Sequence, residues 1–171
     1  MRIISGTLKG RNLTLPSSLP VRPTTDRVRE ALFNIIDVQG ARFLDLFAGT
    51  GAVSFEAASR EAHSITCVEK DRSLIAVIKK NQDLLQTHFP VVQSDAVAYL
   101  KTLDHAPDFI FMDPPYQFDI GQHILPVLET NIELLSNAII IIEHSIAHPD
   151  LLHYSGNWKK SDHREYGKTA L

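Results

Sequence analysis

Asp113-Pro114-Pro115-Tyr116 joins a carboxylate, a backbone carbonyl flanked by proline rings and an aromatic face. That set suits one chemical problem. The exocyclic amine of a nucleobase is a poor nucleophile, because its lone pair is delocalised into the ring. Asp113 and the Pro114 carbonyl can each accept one N–H of such an amine. Those bonds draw the nitrogen toward tetrahedral geometry and stabilise the positive charge that grows as it attacks. Pro114 has no N–H, and Pro115 restricts Pro114 to extended geometry, so the carbonyl is held in place. Tyr116 can stack a base that has left its helix. No metal and no covalent nucleophile is required. On its own, the tetrapeptide also fits a strand stopped by two prolines.

A second constellation contains Asp45, Phe47 and Ala48-Gly49-Thr50-Gly51, a G-x-G-x-x-S pattern closing on Ser54. Glycines here let the chain turn sharply and let a ligand approach the backbone. Glu69 follows Gly49 by 20 residues, where a carboxylate can accept both ribose hydroxyls of an adenosine. Asp95, with Ala96 beside it, sits where the adenine edge would pass. The glycines alone also fit a tight structural turn. With a strand before, a helix after and an acid at this distance, they predict a nucleoside-type cofactor. NAD needs its pyrophosphate on the helix N-terminus, which favours an uninterrupted glycine pattern. Asp45 and Phe47 suit instead a cofactor that lacks phosphates and carries positive charge. S-adenosylmethionine is such a cofactor.

These residues need a scaffold, and the hydrophobic pattern supplies one. Strands are predicted over residues 42–47, 64–69, 90–93, 107–113 and 138–143, the last reading as the most buried. Helices are predicted over 52–60, 71–85 and 95–103, and over 120–135 with a kink or split at Pro126. Alternating strands and helices with near-continuous apolar strands predict a doubly wound, mainly parallel α/β sheet covered on both faces. Ligands of such sheets bind at the carboxyl ends of the strands, so both constellations should open on one crevice. Residues 1–24 read as a hairpin or extended arm with strand-like pieces at 2–5 and 13–15. Thr25 or Asp26 can cap a helix running to about Ile36, with Val28, Leu32, Ile35 and Ile36 inward. Residues 157–164 and 166–171 read as an antiparallel pair joined near Gly167.

The chain has 171 residues, 44% of them apolar, enough for one sizeable core. None of its apolar runs reaches the roughly 18 residues of a membrane-spanning helix, and no secretory signal is evident. A single cysteine, Cys67, excludes an intrachain disulfide and a multi-cysteine zinc site, and reads as a small buried hydrophobe. A cytoplasmic protein is expected. The net charge of −3 hides an asymmetry. Residues 1–30 hold six basic groups and two acids, and residues 157–171 hold four and two. An acidic body with basic ends suggests that the termini hold an anionic partner. Arg2, Lys9, Arg11, Arg22, Arg27, Lys159 and Arg164 are the candidate phosphate contacts. Arg29 could join them, and Arg27 could instead pair with Glu30 on its own helix. His144, His148 and His153 are the only close histidines, and Pro149 breaks any register among them, so no metal site is expected. Trp158 and Tyr166 fit base stacking or core packing equally.

Asp45 to Gly51 and Asp113 to Tyr116 resemble motifs one and four of S-adenosylmethionine-dependent amino-methyltransferases. The opening is more distinctive: Met1-Arg2-Ile3-Ile4-Ser5-Gly6, Lys9-Gly10-Arg11, Arg22-Pro23-Thr24, then Asp26-Arg27-Val28-Arg29-Glu30-Ala31-Leu32-Phe33-Asn34. It resembles the start of the bacterial 16S ribosomal RNA guanine-N2 methyltransferase family. Glu143-His144 and Arg164-Glu165-Tyr166-Gly167-Lys168-Thr169 are similar to later segments of that family. The resemblance implies a Rossmann-like, seven-stranded methyltransferase sheet over residues 25–171 with a small β-hairpin arm at 1–24. It implies methylation of one guanine N2 in small-subunit rRNA, within an assembled or partly assembled 30S particle. A monomer is the default expectation. Gly49, Thr50, Gly51, Glu69 and Asp95 would hold the cofactor, and Asp113, Pro114 and Tyr116 the guanine. Three other readings compete. A DNA amino-methyltransferase has no room here for a target-recognition domain. An NAD-binding oxidoreductase leaves Asp-Pro-Pro-Tyr unexplained. A non-catalytic RNA-binding module would merely have kept a cofactor fold.

Overall fold

The computed structural model describes residues 1–16, 25–115, 117–146, 157–159 and 162–171. Helix α1 (Asp26–Ile35) starts where Thr25 accepts a hydrogen bond from the Val28 N–H. It leads into β1 (Arg42–Asp45), α2 (Ala52–Ser59), β2 (Ser64–Glu69), α3 (Arg72–Leu85), β3 (Val91–Gln93), α4 (Ala96–Lys101) and β4 (Phe109–Met112). Two short helices follow, α5 (Ile120–His123) and α6 (Leu125–Thr130), divided as Pro126 requires: it takes the first turn of α6, where no N–H is needed. Then come β5 (Ile139–Ile142), β6 (His144–Ser145), β7 (Glu165–Tyr166) and β8 (Thr169–Ala170).

Strands β1 to β5 form one wholly parallel sheet in the order β3-β2-β1-β4-β5. The order reverses between β1 and β4. Side chains alternate along the strands and meet two separate cores. Leu44, Ile110 and Met112 pack with α4, α5 and α6 through Leu100, Ile120, Ile124 and Leu128. Phe43, Phe111 and Ile141 face the other way, onto Leu32 and Phe33 of α1 and Val53 and Ala57 of α2. The doubly wound α/β expectation holds.

The strand count differs. Among the described residues the parallel sheet has five strands, not seven. Strands β6, β7 and β8 make a separate antiparallel sheet in the order β6-β8-β7, set off from β5 by Glu143. Its hairpin turns at Gly167, at φ +70°, as the glycine's position suggested. The preceding strand spans only Glu165–Tyr166, and Arg164 just before it continues the pairing by exchanging both backbone bonds with Leu171, each 3.0 Å. β5, expected to be the most buried strand, is the edge of the parallel sheet, and Ile139 is half exposed. A continuous apolar run fits an edge strand when its faces are covered and its edge is not. Trp158 packs against the α4–α6 core, and Cys67 is fully buried.

The arm docks on α2 and α3. An antiparallel bridge joins Arg2 to Asn12, and backbone bonds run from Ile3 N to Arg11 O (3.0 Å) and from Leu13 N to Met1 O (2.9 Å). Ile3 and Leu13 enter a third core with Phe55 of α2 and Ile78 of α3. The fully buried Glu56 accepts from Ile4 N (2.8 Å) and Ser5 N (3.0 Å), and Asn81 pairs both ways with the Thr14 backbone. Arg29 is not a surface cation. It is fully buried, donating to Asp26 at 2.9 Å and to the Arg2 carbonyl at 2.8 Å. Arg27, which could have paired with Glu30, is exposed and forms no ion pair among the described residues.

Candidate functional site

The reversal of strand order places the ends of β1 and β4 side by side, where open α/β sheets bind ligands. After β1, Leu46 N still bonds Phe111 O (3.0 Å) and Ala48 N bonds Val68 O (3.1 Å), so the loop stays anchored to both neighbouring strands. Gly49 and Gly51 then take φ of +56° and +78°. A Cβ on Gly49 would point into open space, the requirement for a ligand to come close. A Cβ on Gly51 would meet Ile78 and Phe55 at 3.2 Å, so this glycine serves packing at the start of α2. Glu69, at the end of β2, holds the loop: its Oε2 accepts from Gly49 N at 2.8 Å and its Oε1 from Asp71 N at 2.8 Å. Asp95 caps α4 by accepting from Val97 N and Ala98 N.

One cavity of about 470 Å³ unites these parts. Its wall includes Asp45, Phe47, Ala48, Gly49, Thr50, Glu69, Asp95, Ala96, Asp113 and Pro114. The expectation that both constellations open on one crevice is met in space. Gly51 lies behind the wall, and Tyr116 is outside the described residues. Sequence reasoning missed Glu143 at the end of β5, Thr25 and Thr169. Only the strand order could have brought these together, and pattern does not fix strand order.

The cavity is strongly acidic. Among the described residues, Asp45, Glu69, Asp71, Asp95, Asp113 and Glu143 line it, with Lys70 as the one cation. Asp45 is almost wholly buried. Its Oδ2 accepts from Ser54 Oγ at 2.7 Å, and its Oδ1 is buried with no hydrogen-bond partner. Burial, with Asp113 and Glu69 adding like charge, pushes its pKa up to about 7. A pyrophosphate would be repelled here, whereas a sulfonium and an ammonium group would be attracted. A concave site with an orphaned buried acceptor, an open glycine and net negative walls fits S-adenosylmethionine.

Of the expected phosphate contacts, Arg2, Lys9, Arg11 and Arg27 are exposed on the arm and α1, none of them in the cavity wall. Arg11 donates to the Leu84 carbonyl at 3.0 Å. Arg22 is outside the described residues. Arg164 pairs with Asp162 (2.8 Å) and, with Lys159, lines a second cavity beside β5. His144 stacks on His163 with centroids 5.8 Å apart, His148 and His153 are outside the described residues, and no group among the described residues could hold a metal. No described helix is long and apolar enough to cross a membrane.

Known proteins share this architecture. A family model described as "Conserved hypothetical protein 95" matches residues 1–171. The "Ribosomal RNA small subunit methyltransferase D" of Escherichia coli K12 is 38% identical over 168 residues, covering 96% of this chain and 83% of that protein. The solved structure of "Putative methyltransferase yhhF from Escherichia coli" superposes with a TM-score of 0.82 at 34% identity, covering 99% of this chain and 94% of that one. A putative methyltransferase solved in complex with SAH superposes at 0.60 with 25% identity, covering 71% and 35%.

Proposed function

The chain belongs to the conserved hypothetical protein 95 family, the bacterial 16S rRNA methyltransferase family, and from that premise we propose that it methylates the N2 amine of a guanine in small-subunit ribosomal RNA. S-adenosylmethionine is the donor, and when bound it supplies an electrophilic methyl on a sulfonium. Gly49 and Thr50 of the loop, with Glu69, Asp95 and Ala96, would hold its nucleoside part, and Asp45 would face its cationic part.

The chain's own residues then act on the base. The Asp113 carboxylate and the Pro114 carbonyl accept the two N2–H bonds, which restores the nitrogen lone pair as a nucleophile. Both acceptors gain strength as positive charge moves onto the guanine, so they stabilise the transition state more than the ground state. The displaced proton leaves to Asp113 or to water. Tyr116 would stack the flipped base. Arg2, Lys9, Arg11, Arg22, Arg27, Lys159 and Arg164 would hold phosphates outside the acidic pocket. The arm at 1–24 would present that charge, and residues 25–171 would form the catalytic domain.

The observation that carries this reading is the shared cavity, in which the glycine loop and the Asp113–Pro114 turn face one space. The substrate would be an assembled or partly assembled 30S particle, since an acidic body binds naked RNA weakly. The enzyme would act as a cytoplasmic monomer. Labelled methyl transfer to naked small-subunit rRNA, to 30S particles and to DNA tests it. Label should enter guanine N2 in particles, less in naked rRNA, and not DNA. Transfer to DNA alone would overturn the proposal.

A further inference from the structure

Asp113 has a neighbour that the chemistry above does not use. Phe111 pairs with Ile141 and Met112 with Ile142 in the parallel register of β4 and β5. The next step of that register sets Asp113 beside Glu143, and the ladder continues there through a bond from Glu143 N to Met112 O at 2.8 Å. Side chains alternate, so Asp113 lies on the face of Phe111 and Glu143 on the face of Ile141. Those two share one core, so the two acids share one side of the sheet, on strands about 4.8 Å apart. Both line the cavity, and Glu143 is only 8% exposed. Asp45, on the other side of Asp113, has a buried oxygen without a partner, so this corner of the pocket is built for hydrogen-bond donors.

The nucleobases differ in what stands beside their reactive amine. In adenine the amine is next to N1, an acceptor. In cytosine it is next to N3, also an acceptor. In guanine alone the neighbour of the amine is a ring N–H, at N1. A carboxylate beside the one that holds the amine therefore accepts from guanine and repels the other two.

We infer that Glu143 is the residue that selects guanine, its carboxylate accepting the N1–H while Asp113 and the Pro114 carbonyl hold N2. The inference rests on the guanine-N2 reading. The N1–H becomes more acidic as N2 takes the methyl group, so this bond also strengthens toward the transition state. Glu143 makes no bond to the reacting atoms and is a specificity-determining residue.

The test uses the full chain. The guanine methylated by the wild-type enzyme is mapped in reconstituted 30S particles. It is then replaced by 2-aminopurine, which keeps the 2-amine but has an acceptor at N1. Wild type should prefer guanine over 2-aminopurine by about 100-fold or more in kcat/KM, because a buried acceptor facing an acceptor is rejected strongly. Glu143→Gln can donate its amide N–H to the N1 of 2-aminopurine. It should reduce the preference to within about tenfold, chiefly by raising turnover of 2-aminopurine. Melting and S-adenosylhomocysteine binding should match wild type. Equal discrimination in the two proteins overturns the inference. So does wild type accepting both bases within about threefold, a result that needs no variant to fold. Failure of wild type to methylate any guanine would instead refute the parent reading.

Discussion

Asp113 and Asp45 are carboxylates on neighbouring strands with different work to do. Asp113 accepts from the reacting amine, so its loss should appear in turnover and not in donor affinity. Asp113→Ala should lower kcat by about 10²–10³ or more while S-adenosylhomocysteine binding by calorimetry stays near wild type. Asp45 is held in a setting that opposes its charge, with a folded pKa of about 7 against an ordinary value of 3.8. Between those values the folded ligand-free chain keeps a proton that the unfolded chain releases. Stability contributed by neutral Asp45 is therefore full below about pH 3.8 and is lost as the pH rises through about 7. Asp45→Asn, neutral throughout, should flatten that part of the profile. Thermal melts of both ligand-free proteins from pH 4 to 8 read the difference. A wild-type profile parallel to that of Asp45→Asn would remove the protonated carboxyl. The residue types of both acids were legible in the sequence, because Asp113 precedes two prolines and Asp45 ends the strand that leads into the glycine loop. Glu143 was not, since its meaning comes only from lying next to Asp113 across β4 and β5.

Helix α2 shows how an element can be legible while its partner is not. Residues 52–60 read as helix from composition, yet Glu56 and Ser59 in it are fully buried. A helix with only one buried face would have put those polar groups in water. Here the arm covers the outer side, and these groups receive its backbone: Glu56 takes Ile4 N and Ser5 N, and Ser59 bonds Thr7 N through its carbonyl and Leu8 N through its hydroxyl. Periodicity reports burial but not the covering segment, which lies some 50 residues away in the chain. Arg29 was misjudged for the same reason: a cation on a helix reads as solvated until the Arg2 carbonyl is found against it. Gly6 is the tightest point of this docking. At φ +79° its missing Cβ would stand 1.8 Å from the Ser59 carbonyl oxygen, a backbone atom that cannot swing away. Gly6→Ala should cost about 3 kcal/mol, the upper end of overpacking penalties, and lift the arm off α2. Hydrogen exchange should accelerate at Ile3, Thr7 and Leu13, while the amides of β1 and β4 stay protected. Unchanged protection of the arm would show that the contact yields easily.

Across the whole molecule, charge is divided by function. Among the described residues the pocket is lined by six carboxylates and one lysine, which draws in a cationic donor and would repel an RNA backbone. Arg2, Lys9, Arg11 and Arg27 lie exposed outside the pocket wall, on the arm and on α1. A polyanion can therefore be held at the periphery while only a neutral base crosses the acidic rim, and the base gains positive charge only after it has entered. This division was visible in the sequence as charge segregation, although one-dimensional counting could not separate the buried Arg29 from the exposed Arg2 and Lys9. Arg2 and Lys9 carry no ion pair among the described residues, so their charge is available to phosphate. Each phosphate neutralised releases condensed counterions, and the salt dependence counts them. Replacing Arg2 and Lys9 with Ala should lower the slope of log K against log salt by about 1.4–1.8 on an rRNA fragment, with S-adenosylhomocysteine affinity unchanged. Fluorescence anisotropy at four or five salt concentrations measures that slope. A double variant with the wild-type slope would place the RNA path away from the arm, leaving the acidic pocket to be reached along the β5 edge, past Lys159 and Arg164.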